Sequence, residues 1–470
     1  MTVIFLGSLI ASAQSYLGKP VKHAVITVPS WFTPSQRSAL RKAATETGIN
    51  VSQLLDEAGA AVAITSAPSW ASTLPPDRTQ LIVDVGASST SVSLLSLRSG
   101  LVHTLASNTT PSVGGDLIDT LLVKYFASEF TKKTKIPLTV CPATQAQDQR
   151  AEAKLRLALE HTKRTISASP GVASCPVESL KDGVDFNGSI NRMRFDLVVR
   201  SVYSSITSSI VSLLESVKVD PHEVDEIVYV GGSASLPGLD EHIIVSGGFY
   251  DDIETPFTRG IITGGGVGDP TTILARGCAS QAHLISEISD PELLATFTSD
   301  QERVEIRATT KTLGVLLPNG SNNELGGTWI PIVQKETPIP NRRTVRFDIE
   351  LSSLNELLVE VWEVNQSIRT EKVELPKPVY SDNDEGTGAD TSEEDEEDEV
   401  EVKSKQIEKS AFLGSISLTA KLGMIHKGKS EMAGRTTTTV DVTFIVGIDA
   451  GLSVTVSEVG GEGAMGSLEI

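Results

Sequence analysis

The chain has 470 residues, 39% of them hydrophobic and 5% aromatic, with a formal net charge of −20. This length is enough for two or three domains with sizeable cores. Twelve acidic residues and no basic residue fall in the window 381–401, so the other residues are nearly balanced in charge. The sequence has no basic block of the kind that binds a phosphate backbone, and we therefore expect no direct DNA binding.

Hydrophobic residues and cysteines narrow the class of protein further. There is no continuous apolar run of about 18 residues, so no membrane span and no membrane association are expected. The three cysteines, Cys141, Cys175 and Cys278, are far apart and lack metal-ligand spacing. They predict neither a disulfide framework nor a zinc site, and they favour a reducing compartment.

The first residues, MTVIFLGSLIASAQ, have two interpretations. The apolar stretch ending in Ala-Ser-Ala is similar to a signal peptide with its cleavage site, but it has no basic segment before it. The alternative, which we favour, is a helix from about residue 2 to Tyr16, stopped at Gly18 with Pro20 beyond it.

The segment up to about residue 285 alternates strands and helices, which predicts an α/β domain. A strand in 21–30 precedes a helix with Thr33 as N-cap and Pro34 at its first position. A second strand and an alanine-rich helix follow, and then a hairpin or meander turning at 86–89. From 115 to 220 the apolar spacing predicts mainly helices.

The second part of the chain has a different pattern. Residues 286–308 are charged and lack a clear period, which predicts a linker. Residues 309–470 hold short β-rich segments separated by turn residues, as in a β-sandwich. The acidic run at 381–402 is too charged to pack and is interpreted as a disordered insertion.

Two strand ends carry small residues suited to a nucleotide. LIVDVGASST and IVYVGGSASLPGL each end a strand in a glycine turn. Asp84 could hold Mg²⁺ through water, and Gly86, Gly231 and Gly232 allow backbone N–H groups to approach a phosphate. For any one turn alone, the simpler interpretation is a glycine needed only for its backbone angles.

Several motifs in the same order resemble the heat shock protein 70 (DnaK-type) chaperone family. They are VKHAVITVPSWFTPSQRSALRKAATETG, VDVGASSTSVSLL, VGGDLIDTLL, LEHTKRTIS, VYVGGSASLPGLDEHI and DPTTILARGCASQA. The β region is similar to the family's substrate-binding sandwich. The resemblance implies an actin-like ATPase (ribonuclease H-like) nucleotide-binding domain over 1–285, a linker over 286–308 and a β-sandwich substrate-binding domain over 309–470.

The resemblance also implies site residues, with ATP, with or without Mg²⁺, as the cofactor. Pro29 and Arg37 match an interdomain relay, and Glu57 matches a carboxylate near the metal water; for Arg37 and Glu57 a solvated helix face is the alternative. Val315 and Phe347 align with the peptide pocket, and ordinary sandwich core is at least as good an explanation. The residues matching nucleotide contacts are Asp84, Gly86, Glu160, Lys163, Ser167, Gly231, Gly232, Ser233 and Asp269.

The chain departs from the family pattern at the phosphate turn. Ala87 and Ser88 stand where the family has glycines, and Ser91 stands where it has a carboxylate. The family's opening strands, its first phosphate loop with a catalytic lysine, and its helical lid have no counterpart, so we expect an N-terminally incomplete, lidless member. Asp84 and Glu57 are weak catalytic candidates, and little ATP hydrolysis is expected.

In these departures the chain resembles the atypical fungal subunit of the ribosome-associated complex. This implies a cytoplasmic, ribosome-associated cochaperone that works with a zuotin-like J-domain protein, nascent polypeptides and a ribosome-bound heat shock protein 70 chaperone. The alternatives are an ATP-dependent folding chaperone with a working ATPase cycle and, in a different class, a kinase of the actin-like superfamily with Asp84 as base.

Overall fold

The computed structural model divides into two compact units, Met1–Glu305 and Ile306–Ile470. It describes residues 1–169, 171–262, 265–298, 306–318, 325–351, 355–374, 399–425, 436–460 and 462–470. Within the predicted linker 286–308, residues Pro291–Thr298 form a helix. The short run PELLATF has too few turns for its period to stand out.

The first unit contains ten helices, eight strands and one 3₁₀ turn at Pro221–Glu223 within its described residues. The helices are α1 Thr2–Leu17, α2 Pro34–Thr45, α3 Glu57–Thr65, α4 Pro68–Ala71, α5 Gly115–Thr134, α6 Ala146–Ala168, α7 Arg192–Ser216, α8 Leu239–Gly247, α9 Ile273–Glu287 and α10 Pro291–Thr298. The strands are β1 His23–Val28, β2 Asn50–Asp56, β3 Asp77–Val85, β4 Ser89–Arg98, β5 Leu101–Pro111, β6 Val172–Lys181, β7 Val184–Asn191 and β8 Glu226–Val230.

The first helices begin and end where local sequence chemistry predicts. Helix α1 ends at Gly18, whose φ of 63° is left-handed, and none of its side chains is buried. Helix α2 starts at a capping box, because Thr33 and Gln36 each accept the other's backbone N–H. Strands β1 and β2 are parallel neighbours in a two-stranded sheet.

A four-stranded sheet in the order β5-β4-β3-β8 forms the centre of the first unit. Along β3, Leu81, Val83 and Val85 face one core, while Ile82 faces a second core on the opposite side. The sheet is therefore buried on both faces, which explains why the apolar run in β3 is continuous rather than alternating. The hairpin of β3 and β4 confirms the turn predicted at 86–89.

The stretch predicted as mainly helical contains a hairpin, β6 with β7, that the prediction missed. Ala173, Cys175 and Val177 alternate with exposed residues and pack into the core, which is the period of two that a strand shows. Helix α7 is long and apolar enough to cross a membrane by length and composition alone. Nine of its side chains are buried in this unit, as in a core helix.

The described residues of the second unit form two antiparallel sheets that share one hydrophobic core. One sheet has the order β10-β9-β12-β13, and the other has the order β11-β15-β16-β17 with β14 paired to β15. Alternate residues of both sheets point into the core. The strands are β9 Thr312–Leu317, β10 Thr328–Val333, β11 Asn341–Glu350, β12 Glu356–Glu374, β13 Glu399–Thr419, β14 Met424–Ile425, β15 Thr436–Val446, β16 Leu452–Glu458 and β17 Met465–Glu469.

A buried carboxylate fastens the end of β16 to its surroundings. Glu458 is 5% exposed. It accepts hydrogen bonds from the backbone N–H groups of Lys421, Leu422 and Ala464 and from the Thr438 hydroxyl, at 2.7–3.2 Å. Burial alone would raise the pKa of Glu458, but these four donors hold it below its ordinary value.

Strands β12 and β13 form a hairpin longer than its sheet. Strand β9 pairs with β12 only at residues 360–364, whereas β13 pairs with β12 from Glu356 to Glu374. The outer part is therefore a two-stranded ribbon. Most of the predicted acidic insertion lies outside the described residues, but residues 399–402 belong to β13, so the predicted end at 402 was wrong.

Candidate functional site

The predicted glycine turns lie side by side at the ends of β3 and β8. The two strands are parallel, with Asp84 opposite Val230, so Gly86 and Gly231 leave the same edge of the sheet. The Ser233 N–H donates to the Val85 carbonyl at 3.2 Å. Gly231 has φ of 94°, and a Cβ there would lie 2.4 Å from the Val85 oxygen. Both its backbone angle and its packing therefore require glycine.

We call the paired turns at Gly86 and Gly231 the glycine cradle. Two further glycines belong to this cradle and were not among the predicted site residues. Gly114 and Gly115 open helix α5, and the Gly115 N–H donates to the Gly86 carbonyl at 3.0 Å. A Cβ on Gly114 would lie 2.6 Å from that carbonyl oxygen, and one on Gly115 would lie 2.5 Å from the Ser233 Oγ. Paired glycines directly before a helical period were the signal for this close approach.

Two carboxylates, Asp84 and Glu57, line a small cavity of about 20 Å³ beside the cradle. Because side chains alternate along a strand, Asp84 and Ile82 of β3 share a face with Ser91 and Ser93 of β4. Glu57 reaches the same cavity as the first residue of α3.

The environment of both carboxylates opposes ionisation. Burial, followed by the charges of Asp84 and Asp56, raises the pKa of Glu57 to about 7. Burial raises the pKa of Asp84 to about 6. None of the described residues that line the cavity is basic. The Ser91 hydroxyl lies 3.0 Å from the Thr109 hydroxyl and does not supply a charge. Near neutral pH the Glu57 carboxyl is therefore partly protonated, whereas Asp84 is mostly ionised.

The predicted adenosine contacts lie along α6. The Lys163 ammonium lies 2.8 Å from Asp119 and 3.2 Å from Glu160. Although burial lowers the pKa of Lys163, these two carboxylates raise it above its ordinary value overall. Asp119 follows Gly115 by one turn of α5, so Lys163 is tied to the helix that opens at the cradle. Ser167 is exposed further along α6.

Asp269 lies next to the cradle, but its side chain accepts hydrogen bonds from its own turn. The neighbouring Pro270 carbonyl accepts from the Gly231 N–H at 3.0 Å. The Asp269 carboxylate accepts from the N–H and the hydroxyl of Thr271, at 2.9 and 2.7 Å. Gly232 is open, because a Cβ there would meet no atom within 4 Å.

The predicted relay residues lie at the loop between β1 and α2. The Pro29 carbonyl accepts from the Phe32 N–H at 3.1 Å. Arg37 donates to Asp56 at 2.5 Å and to the Phe32 carbonyl at 3.3 Å. Since Asp56 directly precedes Glu57, Arg37 is connected to the wall of the carboxylate cavity, and it is not merely a solvated side chain.

The residues aligned with a peptide pocket lie in the second unit. Val315 is 0% exposed and belongs to its core, and Phe347 is partly buried against the same core. This placement favours the alternative of ordinary sandwich packing for both.

The comparisons with known proteins bear on this arrangement. The family model described as Hsp70 protein matches residues 1–297. The chain belongs to the Hsp70 family. A heat shock protein 70 homolog of Schizosaccharomyces pombe is 29% identical over 90% of this chain and 70% of its own length.

Two other relatives differ in what their names say. The heat shock cognate 70 kDa protein 3 of Dictyostelium discoideum is 32% identical over 76% of this chain and 51% of its own length. The ribosome-associated complex subunit SSZ1 of Saccharomyces cerevisiae is 29% identical over 81% of this chain and 66% of its own length. The Hsp70 chain described here thus spans between about half and 70% of these relatives.

Hsp70 proteins bind ATP with Mg²⁺, and the site fits this pair of ligands only in part. The open space at Gly232, the glycine cradle and Lys163 with Glu160 suit a nucleoside. At the phosphate side, the N–H groups of Gly86, Gly115, Gly231 and Ser233 already donate to protein carbonyls. The carboxylate cavity is small, and burial raises the pKa of both of its acids. The site therefore fits a bound nucleotide better than it fits Mg²⁺-assisted phosphoryl transfer.

Proposed function

We propose that this Hsp70-family chain is a cochaperone subunit that binds ATP weakly or structurally and hydrolyses little of it. The observation that supports the proposal is the turn after Asp84, which contains Gly86, Ala87 and Ser88. In this turn the Gly86 N–H donates to the Ser89 carbonyl. In-line phosphoryl transfer depends on preorganised donors and cations around the phosphates. Among the described residues, none that lines the cavity of Asp84 and Glu57 is basic, so no cation lies beside these carboxylates there.

The proposed place of action is the cytoplasmic ribosome. SSZ1, which matches 81% of this chain, is by its name a subunit of a ribosome-associated complex. On this basis the partners are a zuotin-like J-domain protein, nascent polypeptides and a ribosome-bound Hsp70 chaperone. The second unit would serve the partner or the nascent chain. The second candidate, an ATP-driven folding chaperone, is supported by the similarity to the Dictyostelium heat shock cognate protein.

Nucleotide measurements separate the two candidates. Isothermal titration with ATP and ADP, with and without Mg²⁺, and single-turnover hydrolysis are run on the wild-type chain and on Asp84→Asn. We expect weak binding and no turnover that depends on Asp84. Hydrolysis that Asp84→Asn abolishes would contradict the proposal and support the ATP-driven chaperone. The double change Ala87→Gly with Ser88→Gly tests the cause, since it should strengthen nucleotide binding if these side chains restrict the turn.

Ribosome binding is tested by co-sedimentation of the chain together with a zuotin-like J-domain protein at several salt concentrations. We expect the chain to sediment with ribosomes only when the J-domain protein is present. A chain that stays in the supernatant under all conditions would contradict the ribosomal role. Deleting 381–398, which leaves β13 whole, is the matched variant for the acidic run: an unchanged profile assigns no binding role to it, whereas a changed salt dependence assigns it an electrostatic one.

A further inference from the structure

The surface of the first unit carries a groove between α7 and α8. Its volume is about 410 Å³. Three side chains on its walls are apolar and strongly exposed: Met193 at 75%, Leu197 at 55% and Val245 at 70%. Clustered exposed apolar side chains of this kind mark interaction sites more often than scattered ones do. The groove is wide enough to hold the side chains of a partner.

The two helices that form the α7–α8 groove are firmly joined beneath it. The Tyr203 hydroxyl donates to the Pro237 carbonyl at 2.9 Å, and Ser204 Oγ lies 3.4 Å from His242 Nε2. Tyr203 and His242 also have ring centroids 6.1 Å apart. The groove is therefore a fixed feature of the surface, and binding in it would need little reorganisation.

The groove favours a helix over an extended peptide. Its walls are two α-helices whose backbone groups bond within each helix, so they offer no row of N–H and C=O groups to a strand. An extended peptide would lose hydration of its backbone without replacement, whereas a helix satisfies its own backbone groups. Met193, Leu197 and Arg200 lie along one face of α7. They span about 10 Å, which matches two turns of a third helix.

The charges of the groove indicate the chemistry of that helix. Asp196 and Glu241 line it near the start of α8, and Asp196 Oδ1 is buried without a hydrogen-bond donor among the described residues. Burial raises the pKa of Asp196, Arg192 offsets this in part, and the charge of Glu241 raises it further. A lysine or arginine from a partner would compensate both carboxylates. Arg200, near His242, gives the other end of the groove the opposite charge.

From these observations we infer that the α7–α8 groove is a docking site for an amphipathic helix of another protein. This helix presents apolar side chains at i, i+3 and i+4 to Met193, Leu197 and Val245, and a basic side chain to Asp196 and Glu241. The site does not depend on nucleotide or on the ribosome, so it stands apart from the proposed function.

The probe is a synthetic amphipathic peptide of about 18 residues with a leucine face flanked by lysines, and the control peptide has glutamates in place of the lysines. The chain has five methionines, so ¹³C-methyl labelling gives a resolved local reporter in the unchanged protein. We expect the lysine peptide to shift the Met193 signal with a Kd on the order of 10 μM, and the glutamate peptide to bind more weakly. An unshifted Met193 signal would overturn the inference.

Variants test the groove further. Leu197→Ser and Val245→Ser should each weaken binding about tenfold, because each removes an apolar contact. Leu157→Ser is the matched control, since Leu157 is 79% exposed on α6. Glu241→Lys should reverse the preference between the two peptides. Equal losses for all three serine variants would contradict the docking site. So would a Met193 shift that follows the concentration of the chain instead of the peptide, because the occupant would then be a second copy.

Discussion

A buried ionic cluster should decide the stability of the sheet that carries the cradle. Glu226, the first residue of β8, is 0% exposed. It accepts from Arg78 Nε at 3.0 Å, from Gln80 Nε2 at 2.7 Å and from Trp70 Nε1 at 2.5 Å. Arg78 is also buried, and Gln80 lies opposite Glu226 in the register of β3 with β8. The cluster therefore holds these two strands together behind the site.

Glu226→Gln tests this cluster with almost no change of shape. The three groups that hydrogen-bond the carboxylate are donors, and the Arg259 guanidinium lies 3.7 Å from it. The glutamine amide must therefore present its own NH₂ to a donor and leave Arg78 buried without a countercharge. Breaking a buried pair from one side costs about 3–5 kcal/mol. We expect the free energy of unfolding of the first unit to fall by this amount in urea, followed by Trp70 fluorescence and by hydrogen exchange at β8.

The controls distinguish a lost ion pair from a general defect. The double variant Arg78→Met with Glu226→Leu should lose less than the sum of its single changes, because it removes both charges of the Arg78–Glu226 pair, and Arg259 keeps Glu254 at 3.8 Å. Arg346→Gln removes an exposed pair with Asp441 in the second unit and should leave the urea midpoint of the first unit unchanged. An unchanged midpoint for Glu226→Gln would refute the assignment of the cluster as a fastening of the sheet.

Three further predictions concern single positions. Because the pKa of Glu57 is raised to about 7, the folded state binds a proton that the unfolded state releases near pH 4.5, and the free energy of unfolding should fall as pH rises between these values. Glu57→Gln should reduce this slope and leave the part that the raised pKa of Asp84 contributes. Because the pKa of Glu458 is lowered, its contribution to the free energy of unfolding is complete above its unfolded pKa and is lost as the pH falls through its folded pKa. At pH 7, Glu458→Gln should lower the free energy of unfolding by about 1–3 kcal/mol in a urea titration, and a midpoint equal to that of the wild type would contradict this. Gly277→Ala places a Cβ 1.8 Å from the Ala60 carbonyl oxygen, so it should cost about 1–3 kcal/mol or more in stability and lower the melting temperature. Gly232→Ala meets open space and should leave the melting temperature unchanged; equal melting temperatures for the two variants would contradict the close approach at Gly277.

Local chemistry explains why much of the first unit was predictable. The Thr33 cap, the Gly18 stop and the turn at 86–89 depend on neighbouring residues only, and the structure has all three. The order of the glycine turns also placed Asp84, Gly86 and Gly231 together correctly.

Features that depend on distant partners were harder to predict. Strand β12 continues to Glu374 because β13 pairs with it, and nothing in the polar residues after 364 indicates that partner. Position 114 must be glycine because the Gly86 carbonyl lies against it, and these two residues are far apart in the sequence. The raised pKa of Glu57 likewise comes from burial beside Asp84, two elements away.

The ribbon formed by β12 and β13 has a consequence for the chain that connects them. Residues 374 and 399 are paired across the hairpin, so the connecting segment leaves and re-enters at neighbouring points. A two-residue reverse turn can close the same gap. The acidic stretch can thus be shortened, exchanged for a fluorescent reporter or opened to create new chain termini, with the two core sheets keeping their register. The length and the charge of this segment can therefore change without any change in the sheets on either side of it.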